Sequence, residues 1–144
     1  MTEPENEAVV RQYLAAFNDR DRERLQSLLA EDAVEHGVHE DIRGADAIAD
    51  YLEGHFEAFP DYTGETAAIA VDDDLVAVRY SASGTHTGRY RGVEPTGHRA
   101  TWTGISMYRI VDGQINEVWV EEDRLGLLEQ LELVDASDPA HLRL

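Results

Sequence analysis

The chain has no cysteine, which removes disulfides, thiolate metal sites and thiol catalysis together and fits a cytoplasmic protein. Lysine is also missing: all twelve basic residues are arginine, set against thirty Asp and Glu for a formal net charge of −18. A surface so charged repels phosphate backbones, so no nucleic acid is expected as a partner. No apolar run approaches the ~18 to 20 residues of a membrane span, so no membrane is expected either. The opening "MTEPENEAVVRQY" has acidic flanks and no apolar h-region, and no secretory signal is read there. "SGTHTGRYRG" leads into a loop rather than a helix, so it is not a phosphate-binding turn. No nucleophile elbow with Ser-His-Asp order occurs.

The excess of carboxylates has two readings. One is solubility. The other is adaptation to a cytosol of molar salt, the halophilic case, where screening shrinks to about 3 Å and dense negative charge stops repelling strongly.

With 144 residues, 42% apolar and 29% charged, the composition is that of one globular domain. Residues 5–17 place Val9, Tyr13, Leu14 and Phe17 at helical spacing. Asn18 or Asp19 is the expected cap of a second short helix with Leu25, Leu28 and Leu29 as its stripe. "AVEHGVHE" reads as a short strand or extended piece. "RGADAIADYLEGHFEAFPDY" is a third helix, striped by Ile48, Tyr51, Leu52, Phe56 and Phe59 and stopped by Pro60. Beyond Pro60 the period changes from 3.6 to 2. "TGETAAIAVDDD", "LVAVRYSASGTHTG", "RATWTGISMYRI" and "QINEVWVEED" are strands, the last two joined through the Asp-Gly of "VDG". "RLGLLEQLEL" is a short terminal helix, and "VDASDPAHLRL" is a loosely held tail. Helices followed by hairpin-linked strands define an α+β domain: a four-strand antiparallel meander, twisted and curled, under three helices. A curled sheet closed by helices encloses a cone with a mouth.

The phrases "FEAFPDYTGE", "VRYSASGTHTG", "PTGHRATWTGISMYRIVDGQINEVWVEED" and "LLEQL" resemble the SnoaL-like polyketide cyclases of the nuclear transport factor 2-like (NTF2-like) superfamily, over about residues 5–131. The resemblance implies a cone-shaped α+β fold with a curved, mostly antiparallel sheet. It also implies ring closure by intramolecular aldol condensation without metal or organic cofactor. Its general acid/base aspartate falls on Asp123 in "EVWVEED". Relatives usually carry Gly after "LLEQL", where this chain has Glu132.

The last strand alternates Ile115, Glu117, Trp119, Glu121 and Asp123 on one face with Asn116, Val118, Val120 and Glu122 on the other. Neither set is purely apolar, so counting does not assign the inner face. If the Trp119 face lines the cone, Asp123 and Glu121 are catalytic candidates, because a dry cavity and like-charged neighbours both raise a carboxyl pKa. If it faces solvent, the same carboxylates are ordinary surface charges. The Trp119 face is taken as the inner wall, with Asp123 at its working end; Val118 and Val120, on the opposite face, then suit the interface of a homodimer, the assembly common in the superfamily.

His36 falls where relatives often place a cavity histidine and could move a proton near neutrality; a loop histidine is the plain alternative. His86 reads as a structural hydrogen bond at a turn and His98 as exposed, while His55 and His141 draw no argument. His36 and His39 lack helical metal-ligand spacing, so no metal is expected. Arg79 sits mid-strand and either pairs with a carboxylate such as Glu117 or binds a substrate oxygen. Trp102 and Trp119 are pocket candidates for a small hydrophobic ligand. Tyr13 and Phe56 could join them or belong to the core. The function that these readings imply is cofactor-independent acid/base chemistry on a small carbonyl or ester compound. The alternatives are a non-catalytic ligand-binding or dimerisation domain, and an isomerase or epoxide hydrolase on the same fold.

Overall fold

A computed structural model describes residues 1–37, 40–135 and 137–138. Helix α1, Glu3–Asn18, starts at a capping box in which the Thr2 hydroxyl accepts from the Glu5 amide and the Glu5 carboxylate accepts from the Thr2 amide. It buries Val9, Val10, Tyr13 and Ala16. Helix α2, Arg22–Leu28, is capped by Asp21, two residues after Asp19 and three after Asn18, the expected caps. The Asn18 amide instead bridges to Gly64, donating to its carbonyl at 3.0 Å and accepting from its N–H at 2.8 Å. Helix α3, Ala45–Ala58, ends before Pro60 and buries Ile48, Ala49 and Leu52.

Six strands form one sheet in the order β2-β1-β6-β5-β4-β3. The expected meander is β3 (Thr63–Asp72), β4 (Leu75–Thr85), β5 (Arg99–Val111) and β6 (Gln114–Glu122). Two further strands extend it, β1 (Leu29–His36) and the short β2 (Asp41–Arg43). Strand β1 starts as soon as α2 ends, since Leu29 is already extended, and it pairs parallel to β6. The sheet is therefore mixed, and β6 is central rather than an edge. Val111 and Gln114 pair across a two-residue turn in which Asp112 and Gly113 both have positive φ, as an Asp-Gly hairpin signal demands.

The sheet curls around the helices, and its concave face is read directly from burial. Trp102, Gly104, Ser106, Tyr108 and Ile110 of β5 are buried while Thr101, Thr103 and Ile105 are exposed. Val9, Val10, Leu25, Ile48, Val78 and Ile115 belong to the larger of two core clusters. Phe59, Tyr90, Trp102, Leu127 and Leu131 belong to the second. Each fully buried aliphatic or aromatic side chain contributes roughly 1.5–3 kcal/mol.

Strand β6 carries the decisive irregularity. Arg109 opposes Glu117, but the next residue, Ile110, opposes Ile115, so Asn116 is an extra residue. A one-residue bulge reverses the alternation beyond it. Ile115 and Val118, three apart, are consequently both buried. Val118, Val120 and Glu122 therefore face the interior, and Glu117, Trp119 and Glu121 face out. This corrects the expectation that the Trp119 face lines the cone. It also removes Val118 and Val120 as an outer contact surface.

The terminal helix α4, Arg124–Gln130, shows what replaces the missing glycine. Glu132 takes φ +60°, the left-handed conformation that Gly usually supplies. Its N–H bonds the Glu129 carbonyl, and the Leu133 N–H bonds the Leu128 carbonyl, at 3.0 Å each. The helix thus closes in a Schellman motif despite its side chain.

Candidate active site

The concave face and the helices enclose a cavity of about 130 Å³. All six tyrosines of the chain line it: Tyr13, Tyr51, Tyr62, Tyr80, Tyr90 and Tyr108. Phe17, Phe59, Trp102, Val118, Val120 and Leu127 supply apolar wall, and Glu35, His55, Glu122 and Arg124 supply charge or proton-transfer capacity.

Glu35 is the most perturbed of these acids. It is the next-to-last residue of β1, on the inner face, 5% exposed. Burial, and then the charge of Glu122, raise its carboxyl from the ordinary 4.5 to about 7. A carboxyl of that kind is half protonated at neutrality and can give or take a proton.

Glu122 reaches the same space from β6 but is held differently. Tyr80 donates to one of its oxygens at 2.9 Å and the Arg124 guanidinium to the other at 3.0 Å. Gly104, which pairs with both Tyr80 and Glu122 across the sheet, makes this bond possible. A Cβ there would collide with the Tyr80 ring and hydroxyl. Arg124 also donates to the Tyr90 hydroxyl at 2.5 Å. Glu122 is thereby fixed as a charged partner, and its negative field holds the Tyr80 phenol far above its usual pKa, after burial itself.

His55 comes from α3, between Tyr51 and Tyr90, with ring centroids 4.8 and 6.1 Å away. Its Nδ1 lies 3.1 Å from the Tyr51 carbonyl oxygen, which can only accept, so Nδ1 carries the proton. Burial lowers its pKa, more than the Tyr51 bond and Glu122 raise it. The ring is neutral at pH 7, and Nε2 offers a basic lone pair.

The residues singled out from sequence fall into two groups. Tyr13 and Trp102 line the cavity, buried to 3% and 6% exposure. Phe56 packs beside it in the core, its ring edge-on to Phe17 at 5.0 Å. The others gather outside. Glu117 takes the His36 Nε2 at 2.5 Å, with Arg109 at 4.0 Å; the ring's Nδ1 meets Asp41 at 2.9 Å. Trp119 stacks on the His36 ring at 5.5 Å, and Arg109 lies 6.0 Å over the indole. His36 contributes to the cavity rim, but its ring is engaged on this outer surface. The bonds to Glu117 and Asp41 raise its pKa, against the effect of partial burial.

Arg79, Glu121 and Asp123 border a shallow outer depression with Thr103 and Ile105. Arg79 is exposed and pairs with no carboxylate among the described residues; Arg109 and His36 hold Glu117 instead. Asp123 caps α4, accepting from the Gly126 N–H at 2.9 Å. His86 is fully buried, and its Nδ1 accepts from the Thr96 N–H at 3.1 Å, tying the ends of the 86–98 loop. His98 faces Glu132 at 3.1 Å. His39 and His141 lie outside the described residues, among which no cluster suited to a metal ion occurs.

Sequence reading missed Glu35, Glu122 and His55. A signal existed for the first: Glu35 interrupts "AVEHGV", where period 2 from Ala33 puts it on the buried side. For His55 the helical stripe of Tyr51 and Leu52 extends to it by i+3 and i+4 spacing.

A cone of α+β construction with an acid/base-lined interior defines the NTF2-like class. Within it, the profile of the SnoaL-like polyketide cyclases matches residues 7–131, and the chain belongs to that family. It is similar to IdmH of Streptomyces antibioticus, provisionally assigned as a polyketide cyclase. Identity is 33% over 88% of this chain and 98% of that one, with a TM-score of 0.77. It is also similar to AclR of Streptomyces galilaeus, provisionally assigned as a hydroxylase. Here the figures are 29% over 93% and 89%, with a TM-score of 0.83. An epoxide hydrolase of the LEH-like kind from M. tuberculosis, 18% identical over 90% and 91% with a TM-score of 0.74, shares the fold. No curated protein matches the chain in sequence.

Proposed function

We propose that this chain catalyses proton transfer at carbon next to a carbonyl in a small apolar ketone or ester, by its own side chains alone. Ring closure of a polyketide-type compound is the family form of that chemistry. The observation that carries the reading is Glu35: a buried carboxyl raised to about 7 in the wall of an aromatic cavity. Glu35 as carboxylate takes the proton, and its protonated form returns one to the product. His55, neutral with a free Nε2, is the second group able to relay a proton. This reading moves the acid/base from Asp123 to Glu35, because Asp123 is on the outer surface capping a helix.

Acetophenone in D₂O is a direct probe. Proton NMR should show loss of its methyl signal faster with the wild-type protein than with Glu35→Gln or buffer. Equal rates in all three would overturn the assignment and favour a ligand-binding role for the cavity. Two further expectations belong to the same reading. Pairing of two copies would use the outer face of the sheet, where Ile105 is 53% exposed beside Arg79 and Glu121; light scattering reads the mass. The net charge of −18 supports a protein suited to molar salt, and a melting midpoint that fell with added KCl would count against it.

A further inference from the structure

Arg91 is a cation with no carboxylate to hold it. In a chain with thirty acids, most of the twelve arginines pair with one, and its loop neighbour Arg89 meets Glu94 at 3.2 Å. Arg91 pairs with none among the described residues. Two aromatic rings hold it instead. One guanidinium nitrogen donates to the Tyr51 hydroxyl at 3.1 Å, and the guanidinium carbon lies 5.8 Å from the centre of the Tyr90 ring. Both rings line the cavity, and Tyr51 is only half-buried, so the cation stands where the cavity meets solvent. The backbone is shaped to put it there. Tyr90 and Val93 exchange hydrogen bonds of 3.0 and 2.8 Å around a two-residue turn, with Arg91 at φ +48° and Gly92 at φ +80°. Asn, Asp or Gly takes the first of these positions at less cost, so the strain of an arginine there points to a use for its side chain. The loop is firmly seated beside the turn: the Thr87 and Gly88 amides both donate to the Ala58 carbonyl, at 3.2 and 3.1 Å.

We propose that Arg91 sets the substrate class: it binds the carboxylate of an aromatic keto acid whose flat body lies in the tyrosine-lined cavity. The ketone rests on the proton-transfer reading above, and the acid rests on Arg91. A guanidinium carries five N–H donors in a planar fork, and the Tyr51 bond engages one, which leaves donors for a carboxylate in two-point contact. The fit is to a single negative charge. A phosphate ester would bring a second charge to a chain at −18, with Arg91 to offset only the first. The field of the guanidinium also extends into the cavity wall. Burial raises the pKa of Tyr51 and the Arg91 charge opposes it; burial lowers that of His55 and Arg91 adds a smaller push the same way. A neutral ester of the same shape forms no ion pair, so the preference for acid over ester is the signature of this contact.

The test titrates the full chain with 4-acetylbenzoate and with its methyl ester, which share the flat ketone and differ in charge. Binding is read by ligand-observed NMR in about 0.1 M salt, where charges within ~10 Å still interact. The wild type should bind the acid about fivefold or more tighter than the ester, as one charge-assisted pair at a partly exposed site requires. Arg91→Gln, which can keep a bond to Tyr51, should weaken the acid by about the same factor and leave the ester within about twofold. Arg91→Lys keeps the charge and loses the fork, so it should fall between the two. Arg89→Gln removes an equal charge from the same loop, where Glu94 already holds it, and should leave the ratio within about twofold of wild type. Both arginines are exposed, so the variants test recognition rather than folding. An acid bound no better than the ester by wild type, equal losses for both probes in Arg91→Gln, or no binding of either probe would overturn the inference. So would a lysine variant no better than the glutamine one, or an Arg89→Gln that lowers the ratio as far as Arg91→Gln does. The binding ratio reads Arg91 and acetophenone exchange reads Glu35, so either can fail without the other.

Discussion

Replacing Glu35 by Gln should make the protein more stable at alkaline pH, and the size of the gain follows from the site. In the unfolded chain this carboxyl ionises near 4.5, and in the folded chain near 7. Between those values the folded state holds a proton that the unfolded state has released, so stability falls as pH rises. The penalty is absent below 4.5, grows through the interval, and is complete above about 7. At about 1.4 kcal/mol for each pH unit separating the two values, it amounts to roughly 3 kcal/mol. Glutamine keeps the shape and cannot ionise. Any fixed cost of burying its amide shifts the whole curve without changing its slope. The measurement is urea unfolding of wild type and variant at about pH 4, 6 and 8 in constant high salt. The difference in unfolding free energy should move in favour of Glu35→Gln by about 2–4 kcal/mol across that range. Parallel curves would refute the reasoning, because they would mean that Glu35 ionises folded as it does unfolded.

Three other outcomes are expected. His36 has the opposite sign: its bonds to Glu117 and Asp41 raise its pKa, so their stabilisation is full below its ordinary 6.5 and is lost as pH rises through the folded value. For a ring this exposed, His36→Gln should cost under about 1 kcal/mol at pH 5.5 and nothing measurable at pH 9 in the same urea assay. Asp123→Ala should cost about 1 kcal/mol through the lost cap of α4, yet leave acetophenone exchange within about twofold of wild type. Glu132→Gly should raise stability by about 1 kcal/mol in thermal melting, since it relieves a left-handed backbone at an exposed Schellman position.

Much of the fold was legible from periodicity. The helices around Tyr13 and Tyr51, the stop at Pro60, and the Asp112-Gly113 hairpin are local signals, and local chemistry decides them. What escaped was long-range pairing. Nothing in "LLAEDAVEH" says that it will lie parallel to a strand some eighty residues later, making β6 central. With β6 paired along both edges, its inner residues had to fit a core rather than a rim.

The candidate site was misread for one definable reason. Alternation from Ile115 is a sound guide only while pairing stays regular, and Asn116 breaks it. With the bulge included, the same sequence puts Val118 and Val120 against the core and sends Trp119 to stack on His36. Tyr13 and Trp102 line the cavity because helical spacing and an unbroken β5 place them there, and His36 reaches only its rim. The bulge also accounts for the division of the carboxylates. It turns Glu117 and Glu121 outward, among Arg109, His36 and solvent, where charge is cheaply held. It turns Glu122 inward, where Tyr80 and Arg124 must hold it, and the fixed negative charge then helps keep Glu35 protonated near neutrality. A single inserted residue in β6 thus determines which acid is an anchor and which can exchange a proton.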